Sequence, residues 1–167
     1  FEPVPADRLP HRYHWATETF HNEAGVNAVF SDAGPDLIDA TGSNLSVEWT
    51  AGGMVATARD LALYGAALRD GRLLNAESMA FLTDWFPVNE RVQMGHNVTR
   101  TTYPDGLAAI GHNGSVLGFT GSLYWVEGGD AVVTVVANVG TMHSGSVPGS
   151  AFSVARAREF VDAAIAV

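Results

Sequence analysis

The stretch Gly111-His112-Asn113-Gly114-Ser115-Val116-Leu117-Gly118-Phe119 decides the interpretation of this 167-residue chain. Two strongly apolar segments, residues 119–126 and 131–138, follow it and are typical of strands. They flank Glu127-Gly128-Gly129-Asp130, which predicts a hairpin loop. A histidine, an amide side chain and a glycine at the edge of such a sheet predict a substrate-binding lip.

The sheet predicted around this stretch is antiparallel and covers residues 91–139, with a turn at Pro104-Asp105-Gly106. Segment 131–138 is apolar almost throughout, which predicts a central strand covered on both faces. Because the pattern gives helices, then strands, then a helix, it indicates an α+β domain rather than a run of βαβ units.

Three helices are predicted beside the sheet. The first covers 57–70, with Thr57 and Asp60 as a short capping box and Tyr64 on its apolar face. The others begin at caps Asn75 and Ser150; one carries an apolar stripe to Phe86 and stops at Pro87, and the other covers 151–166.

The N-terminal third of the chain differs in pattern. Residues 1–50 are punctuated by proline and glycine and predict an irregular loop region, with apolar anchors such as Trp49. Residues 51–167 hold the predicted helices and sheet. We therefore expect one domain in which 1–50 lies against 51–167.

Composition excludes several classes of function. The formal net charge of −9 argues against a nucleic-acid partner, and the longest apolar stretch, 131–137, is too short for a membrane span. We expect no metal and no cofactor, because the chain has no cysteine and its acids and histidines lack a familiar ligand spacing. His11, His14 and His21 are interpreted as surface histidines, and Asp32, Asp36 and Asp39 as a solvated loop.

The common hydrolase signatures are absent from the sequence. It has neither a Gly-x-Ser-x-Gly elbow nor a His-Glu-x-x-His motif. All nine basic residues are arginine, so a Ser-x-x-Lys nucleophile motif cannot lie on this chain.

Three motifs together nevertheless resemble one family. They are Ala51-Gly52-Gly53-Met54 leading into Thr57-Ala58-Arg59-Asp60-Leu61, the helix end Leu68-Arg69-Asp70-Gly71-Arg72-Leu73-Leu74, and the stretch 111–119. They resemble the C-terminal portion of the serine β-lactamase-like and penicillin-binding family, which includes class C β-lactamases, D-alanyl-D-alanine carboxypeptidases, D-aminopeptidases and esterases. The resemblance implies the C-terminal part of that fold, with 1–48 as its variable middle, completed by an N-terminal segment.

The resemblance also implies roles for the lip. His112-Asn113-Gly114 stands at the family's Lys-Thr-Gly or His-x-Gly triad, where His112 and Ser115 are the catalytic candidates and Asn113 and Gly114 bind substrate. His112 would orient the proton-transfer network, and the backbone N–H of Ser115 would donate to the oxyanion. Asn113 would hydrogen-bond a substrate carbonyl or carboxylate, and Gly114 would let the substrate lie along the strand.

The function so implied is part of an acyl-serine hydrolase. It would cleave a peptide, amide or ester bond, because histidine in place of lysine fits peptidases, amidases and esterases better than an efficient β-lactamase. The partner would be the N-terminal portion with the nucleophilic serine and lysine, without which this chain is inactive. The resemblance favours a bacterial, periplasmic or secreted protein.

Two alternatives remain open at this point. One is a non-catalytic module of the same fold that binds a peptide or cell-wall ligand, and the other is a structural fragment with no function alone.

Overall fold

The computed structural model describes residues 8–24, 30–147, 149, 153–154 and 158–166. They belong to two compact units, and three strands contribute residues to both: β7 (Ala108–Val116), β8 (Phe119–Val126) and β9 (Val132–Ala137). The first unit comprises Phe1–Val55, Gly114–Gly121 and Val136–Ser153. Its own elements are β1 (Tyr13–Trp15), α1 (Glu18–Glu23), β2 (Ser31–Gly34), β3 (Leu37–Asp39), a 3-10 segment (Leu45–Ala51) and β10 (Val139–Gly140).

The first unit has a sheet of its own, in the order β10-β1-β3-β2. Strand β1 pairs in parallel with β10 and antiparallel with β3. Ala16, Phe20 and Ile38 form its buried apolar cluster. The prediction of irregular loops for 1–50 was therefore wrong for β1, α1, β2 and β3, because strands of three or four residues are too short to show a period.

Trp49 was also wrongly predicted as an apolar anchor. It lies in the 3-10 segment with φ 44°, where the segment kinks, and its side chain is 76% exposed. A positive φ at a bulky residue is uncommon, so local contacts hold this kink. One of them is the Gly53 N–H, which donates to the Trp49 carbonyl at 2.9 Å.

The second unit comprises Ala56–Asn113, Ser122–Val135 and Val154–Val167. Its elements are α2 (Ala58–Arg69), α3 (Ala76–Leu82), β4 (Phe86–Pro87), β5 (Val92–Met94), β6 (Thr99–Thr102), β7 (Ala108–Val116), β8 (Phe119–Val126), β9 (Val132–Ala137) and α4 (Arg158–Ile165). The strands run in the order β4-β5-β6-β7-β8-β9. Leu68, Val98, Ile110 and Trp125 form the main apolar core of this unit.

Helix α2 confirms the predicted boundaries and caps. Thr57 and Asp60 form the reciprocal capping box, and Gly71 follows the helix with φ +66°. Its buried face is Gly65 and Leu68, however, whereas Tyr64 is 54% exposed. The prediction that Tyr64 faces the core was wrong, because the buried stripe runs one residue further along the helix.

Helix α3 begins at the predicted cap Asn75 but ends at Leu82. The extension to Phe86 was wrong: Phe86 and Pro87 form the edge strand β4, paired with Met94 and Gln93. An edge strand tolerates proline because one side of it needs no ladder hydrogen bond.

The sheet confirms the α+β prediction, including the turn at Pro104-Asp105-Gly106 and the loop after β8. One prediction about it was wrong. Strand β9 is not central but stands at the end of the order within the described residues, and its Val136 side chain is exposed.

The last helix is described as α4, in which Val161 is buried. The predicted cap Ser150 lies outside the described residues, as do several residues of the predicted helix 151–166. Among the helices that the structure describes, none combines the length and the apolar character needed to cross a membrane.

Candidate active site

The four residues predicted as the lip lie consecutively on strand β7. The ladder from β6 pairs Thr99 with Gly111 and, in the described chain, goes no further. His112 is therefore the first residue of β7 beyond the end of its neighbour. The β6 side of the strand from His112 onward is an edge to which an extended substrate can add.

His112 is exposed and lines a cavity of about 410 Å³ in the second unit. Its Nδ1 lies within hydrogen-bond distance of the Asn113 carbonyl oxygen. Because a carbonyl oxygen only accepts, Nδ1 must carry the proton. In the neutral ring this leaves Nε2 as the nitrogen that can accept a proton.

Asn113 is oriented by two hydroxyl groups from β8. Its Oδ1 accepts hydrogen bonds from Tyr124 Oη at 2.8 Å and from Ser122 Oγ at 3.2 Å. In this arrangement both lone-pair directions of the amide oxygen are used. The side chain is held in one orientation before any ligand arrives.

Gly114 is exposed, and an added Cβ there would meet no atom within 4 Å. Its φ does not lie in the left-handed region, so neither the backbone conformation nor the neighbouring atoms of this chain require glycine here. The absence of a side chain leaves space along the strand edge.

Ser115 has its hydroxyl engaged by the segment after β10. Its Oγ lies 3.0 Å from Thr141 Oγ1 and accepts from the Thr141 N–H at 3.2 Å. These bonds fix the backbone of β7 at Ser115 against a second segment of the first unit. The Ser115 hydroxyl is thus engaged in hydrogen bonds within the first unit.

The segment that holds Ser115 is itself held by His14. That histidine is fully buried, donates from Nε2 to the Met142 carbonyl at 2.8 Å, and accepts at Nδ1 from the Gly118 N–H at 3.3 Å. Ser144 donates to the Trp15 carbonyl beside it. The interpretation of His14 as a surface histidine was wrong, because β1 carries it into the interior of the first unit.

The pKa of His14 is lowered below its ordinary value of 6.5, chiefly by desolvation on burial, while the Met142 carbonyl opposes that shift. The unfolded chain therefore binds the proton more readily than the folded one. The stability that the neutral imidazole contributes is complete above about pH 6.5 and is lost as the pH falls below it.

We accordingly expect the free energy of unfolding, measured in urea, to decrease between pH 7.5 and pH 5.5. In His14→Gln this decrease becomes smaller, whereas in the matched variant His21→Gln, changed at an exposed position, it persists. An equal pH dependence in His14→Gln and the unchanged chain would contradict this account of the buried imidazole.

The other polar candidates of the first unit take part in local hydrogen bonds. In the described residues, no group of three or more histidine, aspartate or glutamate side chains could hold a metal ion. Asp32 and Asp39 belong to the β2–β3 hairpin, where Asp32 accepts from the Gly34 N–H and Asp39 from the Thr41 N–H. The bonds from Thr41 hold the pKa of Asp39 below its usual value.

Sequence reasoning missed the groups that position the lip. Ser122 could have been predicted from the hairpin. If Leu117-Gly118 is a two-residue loop, Val116 pairs with Phe119, and three residues further from the loop Asn113 pairs with Ser122. Thr141 and His14 carried no such signal, since each contacts its partner across more than twenty residues of chain.

Comparison with known proteins gives a consistent result. The sequence matches the family model described as Beta-lactamase over residues 3–159. Solved D-amino acid amidase structures from Ochrobactrum anthropi SV3, complexed with L-phenylalanine amide or D-phenylalanine, are similar at 28% and 27% identity. Their TM-scores are 0.65 and 0.64 over 84% of this chain.

A D-stereospecific amidohydrolase from Streptomyces sp. shares the fold, with 21% identity and a TM-score of 0.63 over 82% of this chain. The chain covers only 36% to 40% of the length of these three structures. What it shares with them is part of a domain.

Proposed function

Because this chain belongs to the beta-lactamase family, we propose that it is the C-terminal portion of a serine hydrolase that cleaves amide or ester bonds through an acyl-serine. The observation that carries the proposal is the edge of β7 beyond Gly111, where β6 stops and Gly114 leaves open space. A peptide-like substrate can pair with this edge as an added strand.

His112 acts in this proposal on the proton-transfer network. The bond from Nδ1 to the Asn113 carbonyl fixes the tautomer, so Nε2 faces the reaction as an acceptor when the ring is neutral. Asn113, held by Ser122 and Tyr124, presents its amide nitrogen to a substrate carbonyl or carboxylate. Neither side chain needs to reorganise as charge develops, which is the condition for effective electrostatic stabilisation.

Ser115 supplies its backbone N–H to the oxyanion of the tetrahedral intermediate. The two hydrogen bonds between the Ser115 hydroxyl and Thr141 support this role. They fix the position of the strand through the side chain, so the backbone N–H is the group of Ser115 that acts on the substrate. A donor fixed in advance stabilises the developing negative charge more than a mobile one. The second donor would come from the nucleophilic serine.

The nucleophile would belong to an N-terminal portion of the same protein. This chain contains no lysine, so the Ser-x-x-Lys pair must be supplied from outside these 167 residues. Two exposed apolar surfaces offer places for that portion to pack: the end strand β9 with Val136, and the stretch that carries Val47, Trp49 and Met54.

The similar solved structures favour an amide as the bond that is cleaved. The Ochrobactrum anthropi protein, which is 28% identical to this chain, is named a D-amino acid amidase. We therefore propose amides and peptides as the preferred substrates, followed by esters. β-Lactams come last, because histidine at position 112 suits their cleavage less well than lysine.

Covalent labelling tests the proposal. The complete preparation is incubated with a fluorophosphonate, and the intact mass of every chain present is measured. We expect one adduct on a co-purifying N-terminal portion and none on this chain.

Other outcomes of the labelling, or of a ligand titration on the same preparation, contradict the proposal. An adduct on this chain alone would overturn the assignment of the nucleophile. Saturable binding of a peptide or cell-wall ligand without a second chain or an adduct would instead establish a binding module.

A further inference from the structure

The buried imidazole of His14 has no part in the mechanism proposed above. Its ring joins two segments of the first unit that are distant in sequence. Nε2 donates to the Met142 carbonyl at 2.8 Å, and Nδ1 accepts from the Gly118 N–H at 3.3 Å. Because a carbonyl oxygen only accepts and an N–H only donates, the two bonds together require the neutral ring with its proton on Nε2.

Both of these segments lead to Ser115. Gly118 lies in the turn after β7, three residues beyond Ser115. Met142 follows Thr141, whose N–H and hydroxyl contact the Ser115 hydroxyl at 3.2 Å and 3.0 Å. The bonds from His14 therefore reach the strand at Ser115 through the main chain on one side and through the Ser115 side chain on the other.

The packing around the imidazole is tight. Gly140 pairs with His14 between β10 and β1, and an added Cβ at Gly140 would clash with His14 Nδ1 and the Gly118 backbone nitrogen. The Phe20 ring of α1 lies against the imidazole at a centroid distance of 4.6 Å. Because His14 is fully buried, water cannot replace either hydrogen bond unless these neighbours move.

From these contacts we infer that His14 is a positioning residue for the hydrolytic reaction and holds the Ser115 N–H where the oxyanion forms. The inference rests on the proposed function, because the charge in question develops during the proposed acyl transfer. His14 acts through Gly118 and Thr141 rather than on the substrate. A displacement of about 1 Å in a reacting geometry can cost about 10²-fold in rate, so a buried residue of this kind has a measurable effect on turnover.

Kinetics of the complete enzyme at fixed pH test the inference. His14→Ala removes both hydrogen bonds and should lower kcat by about tenfold or more while KM for the amide substrate stays within about twofold, because the oxyanion exists only after attack. His14→Gln keeps an amide nitrogen that can donate to the Met142 carbonyl. It should recover kcat to within about threefold of the unchanged enzyme.

Ile38→Ala is the matched control. Ile38 is buried in the same unit and pairs with His14 between β3 and β1, but its side chain cannot form a hydrogen bond. This variant loses buried apolar contacts and stability, and its kcat should stay within about threefold of the unchanged enzyme below its melting temperature.

A double-mutant cycle with Thr141→Val tests the route. This change removes the hydroxyl contact with Ser115 Oγ and keeps the backbone N–H of residue 141. Because His14 acts through the same segment, the loss of kcat in the double variant with His14→Ala should be smaller than the product of the two single losses. Losses that multiply in full would contradict the inference.

Hydrogen exchange of backbone amides in the same preparations gives a readout independent of catalysis. In His14→Ala we expect the Gly118 and Thr141 amides to exchange at least about tenfold faster relative to the other amides of the first unit, and in Ile38→Ala we expect no such selective change. If His14→Ala does not fold, His14→Asn replaces it, because the shorter amide ends before the position of Nε2; its kcat should be about tenfold below that of His14→Gln.

The outcomes separate this inference from the proposed function. An unchanged kcat in His14→Ala, an equal loss in Ile38→Ala, or equal kcat in His14→Asn and His14→Gln would overturn the inference while the acylated serine still forms. A selective loss of protection in His14→Ala, together with the absence of any acylated serine in the complete preparation, would overturn the proposed function although the link between His14 and Ser115 exists.

Discussion

Replacing His112 by alanine in the complete enzyme lowers kcat/KM for an amide substrate by about 10²-fold or more. The expected loss follows from geometry, because the Nδ1 bond to the Asn113 carbonyl prepares Nε2 as a proton acceptor. The melting temperature should change little, since His112 is exposed and the strand continues through it.

The matched control for this variant is His96→Ala. His96 lines the same cavity as His112, but its ring stacks on Phe81 at a centroid distance of 3.8 Å. We expect its kcat/KM to remain within about threefold of the unchanged enzyme, a loss typical of a residue without a catalytic role. Unaltered turnover in His112→Ala, or gross unfolding of it, would assign His112 a structural role.

Alanine at Gly111 should impair folding, whereas alanine at Gly114, three residues further along β7, should impair only activity. A Cβ at Gly111 would clash with the Leu123 carbonyl oxygen and lie 2.7 Å from Tyr124 Cα, both of them backbone atoms of β8. Backbone atoms of a paired strand cannot move aside cheaply, so Gly111→Ala should lower the free energy of unfolding by about 3 kcal/mol or more.

Gly114→Ala should leave stability within about 0.5 kcal/mol, because a Cβ there meets no atom of this chain. Its effect should appear only with substrate, as a decrease in kcat/KM of about tenfold or more when the methyl group blocks the strand edge. Urea denaturation and steady-state kinetics of both variants distinguish the two roles. Full activity in Gly114→Ala would show that substrate does not lie along this edge.

Local sequence patterns predicted the second unit well. The caps of α2, the turn at Pro104-Asp105-Gly106 and the boundaries of β8 each depend on residues close together in the chain. Where the prediction failed, distant contacts decided the outcome. Phe86 left the helix for β4 because it pairs with Met94, and β9 stands at the end of the sheet although its apolar sequence predicts a central strand.

The sequence predicted which residues of the strand form the candidate site, but it did not predict the hydrogen bonds that hold them in place. His112, Asn113, Gly114 and Ser115 are consecutive in sequence, so the strand prediction brings them together without further information. Buried His14 could not be found in this way. Its two partners, Met142 and Gly118, lie more than a hundred residues away, and β1 is too short to show which of its faces is buried.

The most direct test of the central claim is a crystal structure of the complete enzyme after reaction with a fluorophosphonate. The account predicts a phosphonylated serine on the N-terminal portion, with the phosphonyl oxygen about 2.7–3.1 Å from the Ser115 backbone nitrogen and the inhibitor chain along Gly114. A phosphonyl oxygen bound elsewhere, with the edge of β7 from His112 to Ser115 left empty, would contradict the assignment of this strand as a wall of the active site.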